Sequence, residues 1–131
     1  AMRGTVVAGL IGLLLLTGGF ATVARALEVV EAAISTGVVD HLPIDSVEAY
    51  TVKAGKLYCF TRVLGAAGRD KVIHVWRREG QEMARIELPL RTDDFRTWSV
   101  KTLQPTWSGQ WQVDVVDNAG TVLVSLPFVL Q

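Results

Sequence analysis

From residue 28 onward the chain is a succession of short runs in which β-branched and aromatic residues alternate with polar ones, each run closed by turn residues. A period of two places successive side chains on opposite faces of an extended strand, so the pattern predicts half-buried strands rather than helices. The runs are Glu28 to Thr36, Val47 to Val52, Leu57 to Leu64, Lys71 to Arg78, Gln81 to Leu88, Phe95 to Leu103, Gln110 to Val116 and Thr121 to Leu130. The first also fits a helix through Leu27, Val30, Glu31 and Ile34, although the alternation of Val30, Ala32 and Ile34 favours a strand. Gly37 to Ser46 is expected to be a polar loop, and Lys53-Ala54-Gly55-Lys56, Glu79-Gly80 and Asp117-Asn118-Ala119-Gly120 read as turns. Pro127 has no backbone donor, which places the last strand at an edge or at a bulge. Seven or eight strands with turns about every 8 to 12 residues predict an all-β, immunoglobulin-like antiparallel sandwich.

The amino terminus is different in kind. Thr5 to Ala24 carries no charge, follows Arg3 and leads to Ala24-Arg25-Ala26. A cationic start, an apolar stretch and an Ala-x-Ala end are the three parts of a secretory signal peptide, with Leu27 first after cleavage. The same run is long enough for an uncleaved membrane anchor, with Gly4, Ala8 and Gly12 on one helix face. Residues 1–26 are therefore expected to be a signal peptide or an apolar anchor helix, and 27–131 the sandwich domain, exported to the periplasm or cell surface and membrane-attached only if residues 5–24 are retained.

Without residues 1–26 the chain holds 11 Lys and Arg against 13 Asp and Glu. A mildly acidic domain with no basic stripe lacks the electrostatics of nucleic-acid binding. Cys59 is the only cysteine. It cannot close an internal disulfide, and between Tyr58 and Phe60 with no adjacent cation it reads as a buried side chain, not a catalytic thiolate.

His74 shares its alternation phase with Val72 and Trp76. In one reading Trp76 packs on Cys59 in the core and His74 is a hydrogen-bonded structural residue beside it. In the other, His74, Trp76 and Arg78 line an open sheet face and meet Arg96 and Trp98 of a neighbouring strand, an aromatic surface of the kind that grips sugars or peptides. Four tryptophans (Trp76, Trp98, Trp107 and Trp111) are many for one small core, and Trp107, after Pro105, is the one expected to be most exposed. Arg96 and Ser99 would orient an anionic group, unless Arg96 pairs with Asp93, Asp94 or a carboxylate across the sheet. The candidate binding set is His74, Trp76, Arg96, Trp98, Ser99 and Trp107.

Asp40, His41 and Asp45 lack metal-ligand spacing, and Asp114 and Asp117 are expected to remain solvated. No nucleophile motif, phosphate-binding glycine loop or catalytic carboxylate pair is recognisable, so neither an enzyme nor a metal or cofactor site is expected.

The runs Leu57-Tyr58-Cys59-Phe60-Thr61, His74-Val75-Trp76, Arg96-Thr97-Trp98-Ser99, Gly109-Gln110-Trp111-Gln112-Val113 and Asp117 to Leu123 resemble a bacterial family catalogued as domain of unknown function twenty-nine fourteen. The resemblance implies an envelope protein with a leader or anchor. It brings no activity with it, but it does direct attention to Cys59, His74, Trp76, Arg96, Ser99, Gly109 and Trp111. Two functions are compatible with all of this: an accessory module binding an envelope protein or glycan through an aromatic sheet face, and a structural protein self-associating through an edge strand or the apolar helix.

Overall fold

The computed structural model describes residues 26–51 and 55–131. The expected leader helix and the first half of the Lys53–Lys56 turn lie outside the described residues.

Among the described residues ten strands follow one another: β1 (Glu28–Ser35), β2 (Val38–Val39), β3 (Leu42–Pro43), β4 (Ala49–Tyr50), β5 (Gly55–Leu64), β6 (Lys71–Arg78), β7 (Gln81–Pro89), β8 (Asp94–Leu103), β9 (Gly109–Val116) and β10 (Val122–Leu130). The seven long ones are the runs whose alternation predicts strands. The expected strand over Val47 to Val52 contracts to β4, and the expected loop over Gly37 to Ser46 contains the β2–β3 hairpin.

One sheet has the order β1-β5-β8, another β4-β10-β9-β6-β7, and β2-β3 stands as a third, two-stranded piece. The two larger sheets face each other across a common core. Ile34, Leu57, Cys59 and Leu103 from the first sheet meet Trp76, Trp111, Val113, Phe128 and Leu130 from the second. Alternation explains this directly, because β5 sends Leu57, Cys59, Thr61 and Val63 inward while Lys56, Tyr58 and Arg62 look outward. Phe128 stacks on Trp111 at 5.9 Å and meets Trp76 edge-on at 6.2 Å, both favourable aromatic geometries. Cys59 is buried in this cluster, and loss of hydration pushes its thiol pKa well above the ordinary value, which keeps it unreactive.

Pro127 pairs with Gln112 of β9, while β4 pairs with β10 only at Val129 and Leu130. The proline therefore occupies a stretch of β10 with one ladder neighbour, as its missing donor demands. At the same end of the molecule Glu79 folds back on Gly109. Its Oε2 accepts from the Gln110 N–H at 2.7 Å and would lie 2.6 Å from any Cβ at position 109, where φ is +125°. Only glycine meets both conditions.

Candidate functional site

Three of the expected binding residues do not reach a surface. His74 and Trp76 lie on the inward face of β6 and are fully buried, and Ser99 of β8 is buried opposite them. The open face on which His74, Trp76 and Arg78 would join Arg96 and Trp98 does not form, because β6 and β8 belong to different sheets. The contact between these strands runs through the core instead.

That contact is a directed chain of hydrogen bonds. Trp76 Nε1–H donates to Ser99 Oγ at 3.0 Å, and Ser99 Oγ lies 2.6 Å from His74 Nδ1. On the other side of the ring His74 Nε2 lies 3.2 Å from Thr61 Oγ1, which donates to the Thr97 carbonyl at 3.1 Å. An indole N–H can only donate, and a carbonyl can only accept. Thr61 therefore spends its proton on Thr97 and accepts from His74, which fixes the Nε2–H tautomer; Nδ1 then accepts the Ser99 proton. Every proton of the group has one acceptor, and the Ser99 and Thr61 hydroxyls each accept as well as donate, as burial in low dielectric requires. Burial also lowers the His74 pKa to about 4, so the ring is neutral near pH 7. A serine 2.6 Å from a histidine has the outline of a catalytic dyad, but here both sit inside the core and serve to tie the two sheets together.

Residues 69–130 match the family described as Protein of unknown function (DUF2914). The matched DUF2914 segment contains β6 to β10, and with them His74, Trp76, Ser99, Gly109 and Trp111. The Leu57–Thr61 run, which also carried the resemblance, lies before it. No curated protein matches the chain.

Within the DUF2914 segment, Asp114 is not solvated as expected. It is buried on the outer face of the five-stranded sheet, accepting from Arg77 Nε at 3.0 Å, Gln112 Nε2 at 2.6 Å and Ser125 Oγ at 2.7 Å. Burial alone would raise its pKa, but these three donors outweigh it and hold the carboxyl below its ordinary value. Trp107, expected to be open, is half-buried. Its ring lies between Lys101 Nζ, 4.8 Å from the ring centroid, and Trp111 at 6.1 Å, and its carbonyl accepts from Trp111 Nε1. It closes one end of the core.

Arg96 and Trp98 remain. Both point outward from β8, with Val100 next on the same face. Arg96 lies opposite Arg62 of β5 in the ladder. Arg62 has taken the carboxylates: it holds Asp94 through Nε at 2.9 Å and Nη2 at 2.8 Å, with Glu31 at 3.7 Å. The fork geometry of that grip keeps Asp94 below the ordinary carboxyl pKa. Arg96 consequently has no ion pair among the described residues, contrary to the expected pairing with Asp93 or Asp94.

The β2–β3 hairpin lies across the same sheet face. Its two-residue turn, Asp40-His41, has φ of +53° and +62°, the type I′ geometry that matches strand twist. His41 packs edge-on against Trp98 at 5.6 Å, and Leu42 and Pro43 border a shallow cavity with Phe60. This flap explains how Phe60, an outward residue of β5, comes to be buried. Asp45 anchors it, accepting from Ser35 Oγ and the Thr36 N–H, each at 2.7 Å, and from Thr36 Oγ1. Among the described residues no three His, Cys, Asp or Glu side chains gather as a metal site, and Asp40, His41 and Asp45 are occupied as turn, packing and anchor. Replacing Asp45 with alanine is expected to cost about 1–2 kcal/mol through its lost bonds. Limited proteolysis should show faster cleavage within residues 37–46 while the rest of the domain stays resistant.

The alternation pattern gave no sign of this flap. Its only local signals are Pro43 and the short polar pair at 40 and 41. Val39 and Ile44 are each 59 % exposed, Leu42 is 49 % and Val100 is 38 % exposed. The hairpin carries the first three, and Val100 follows Trp98 along β8 on the sheet face that the hairpin tip reaches through His41; we call this part of the surface, with Arg96, the rim.

Proposed function

We propose that the chain is a non-catalytic, immunoglobulin-like binding module exported to the bacterial envelope, and that it engages a protein partner through the rim formed by the flap and β8. The observation that carries this reading is that the flap bears three exposed aliphatic side chains (Val39, Leu42 and Ile44) and reaches, through His41, the face of β8 that carries Trp98, exposed Val100 and Arg96, an arginine without an ion pair among the described residues. Contiguous exposed apolar surface rimmed by polar groups is a feature of protein interfaces. A glycan site would need an open aromatic face. Trp98 instead meets His41, and Trp76 and Trp111 are consumed by the core.

The fold assignment is supported by strand order. Orders β1-β5-β8 and β10-β9-β6 correspond to strands A-B-E and G-F-C of an immunoglobulin-like sandwich, with Cys59 on the second of these strands in chain order and the buried Trp76 on the third. The non-catalytic part is supported by the Ser99–His74 pair being enclosed in the core. Export is supported by the sequence of the leader alone.

A photoreactive amino acid placed at Val100 or Leu42 of the full chain in cells is expected to yield a discrete adduct with one protein. The same probe at Gln112, on the outer face of the other sheet, should give none. Equal labelling from both faces, or adducts only with a second copy of the chain, would overturn the proposal, the latter in favour of self-assembly.

A further inference from the structure

An exposed strand edge is a template for another chain, and folded domains commonly blunt such edges with prolines, bulges, charges or a covering segment. Three edges of this sandwich are treated in that way. The β1 edge is interrupted by a bulge between Val29 and Glu31 and covered where Val47 N–H donates to the Ile34 carbonyl. The β7 edge has a bulge opposite the step from Trp76 to Arg77, the ion pair of Glu82 with Arg85, and a terminal proline, Pro89. On β10 there is a bulge between Val122 and Val124, then Pro127, then the two residues of β4.

The β8 edge carries charges, Asp94, Arg96 and Lys101, but among the described residues it has no bulge, proline or covering strand. It pairs with β5 over ten consecutive residues, Asp94 to Leu103, with no register shift, contains no proline, and has no second ladder neighbour among the described residues. Its outward side chains are Asp94, Arg96, Trp98, Val100 and Thr102. The flap covers the sheet face inboard of this edge, so the edge itself is the part of the rim left for a partner's backbone.

Resting on the binding role proposed above, we propose that β8 accepts an extended segment of the partner as an added strand, with an acidic side chain opposite Arg96 and apolar ones opposite Trp98 or Val100. The backbone supplies affinity and the alternate side chains supply register. The acidic residue follows from charge. Arg96 faces Arg62 across the ladder, a repulsive pair, and Asp94 is held by Arg62.

A second copy of this chain does not meet the requirement. Antiparallel β8–β8 pairing about a two-fold axis sets Arg96 against Arg96, Trp98, Val100 or Thr102, according to register. Only a pairing centred on Phe95 brings Asp94 to it, and that one overlaps β8 no further than Asp94–Arg96.

The test is a randomised octapeptide display library selected on the full chain. Selected peptides are expected to alternate apolar residues and carry Asp or Glu at one fixed position. Against an Arg96→Glu chain that position should change to Lys or Arg, and a synthetic acidic peptide should weaken by about tenfold. N-methylation of the peptide's alternate amides that face β8 should weaken binding by about a hundredfold, through loss of two or three ladder bonds. Peptides that are lost on Trp98→Asp or Leu42→Asp but tolerate N-methylation and ignore Arg96 would overturn strand addition and leave the rim as the binding surface. Peptides indifferent to Trp98, Leu42 and Arg96 alike would overturn both.

Discussion

Replacing Ser99 with alanine is expected to destabilise the domain by about 3 kcal/mol, because one hydroxyl serves two buried partners. Its oxygen accepts from Trp76 Nε1 at 3.0 Å, and its proton goes to His74 Nδ1 at 2.6 Å. Both partners are fully buried, so water does not replace the lost bonds without opening the core. Each orphaned buried group costs about 1–3 kcal/mol, which makes the sum a large share of the roughly 5–15 kcal/mol that holds a domain of this kind together. Thr102→Ala, on the exposed face of the same strand, should stay within about 0.5 kcal/mol of the unaltered chain. Urea unfolding of the two variants makes the comparison, and equal midpoints would mean that the chain from Trp76 to Thr97 does not hold the sheets. Thr61→Val, close in shape but unable to accept from His74 Nε2–H, is expected to fall between them.

This network also shows where local sequence stops being informative. The strands of the sandwich were legible because alternation is local: Leu57, Cys59 and Val63 go in because Tyr58 and Arg62 go out. The packing of Trp76 with Cys59, and His74 beside it, was legible from the sandwich pattern as one of two readings. Alternation did not choose between that reading and the open face. Along β6 both phases are apolar, since Ile73 and Val75 form their own small cluster with Val116 on the outer face, and two apolar phases do not say which one is interior. What decides it is that Thr61 and Ser99, from strands distant in sequence and in the other sheet, present hydroxyls to the ring. The fate of Arg96 was hidden in a similar way. Asp94 is nearer to it in sequence, but the ladder sets Arg62 where it takes Asp94 with two nitrogens. The flap depends on Asp40 and His41 adopting positive φ without a glycine, and on an anchor, Asp45, whose partners at 35 and 36 lie on the far side of the hairpin. Nothing in a period-two pattern records such a fold-back, and so the one outward aromatic that it buries, Phe60, was indistinguishable from an exposed one.

Stability is expected to fall as the pH is lowered from about 6.5 toward about 4, and His74 is the reason. In the folded domain its pKa is lowered from 6.5 to about 4 by burial. Around the ring stand Thr61 of β5, Ser99 of β8 and Trp76 on its own strand, while the cross-strand neighbours are Ile86 of β7 and Val115 of β9; none of them is a carboxylate. Protonation at Nδ1 would also turn two donors on Ser99 Oγ and leave the Ser99 proton without its acceptor. Between the two pKa values the unfolded chain therefore binds a proton that the folded one refuses. The stabilisation is complete above the unfolded value and is lost as the pH falls to the folded one, about 3 kcal/mol in all. Asp45, Asp94 and Asp114 act in a lower window. Their folded pKa values lie below the ordinary carboxyl value, so the stability they contribute is present above that value and is lost only as the pH drops through the folded ones. Urea midpoints measured from pH 7 to pH 4.5 separate the two effects. His74→Gln keeps one donor and one acceptor in the ring's place and should abolish the slope in this range, whereas Ser99→Ala should lower stability at every pH and retain it. A slope that persists unchanged in His74→Gln would assign the titration to another group, and the neutral, fully satisfied histidine at the centre of the fold would have to be abandoned.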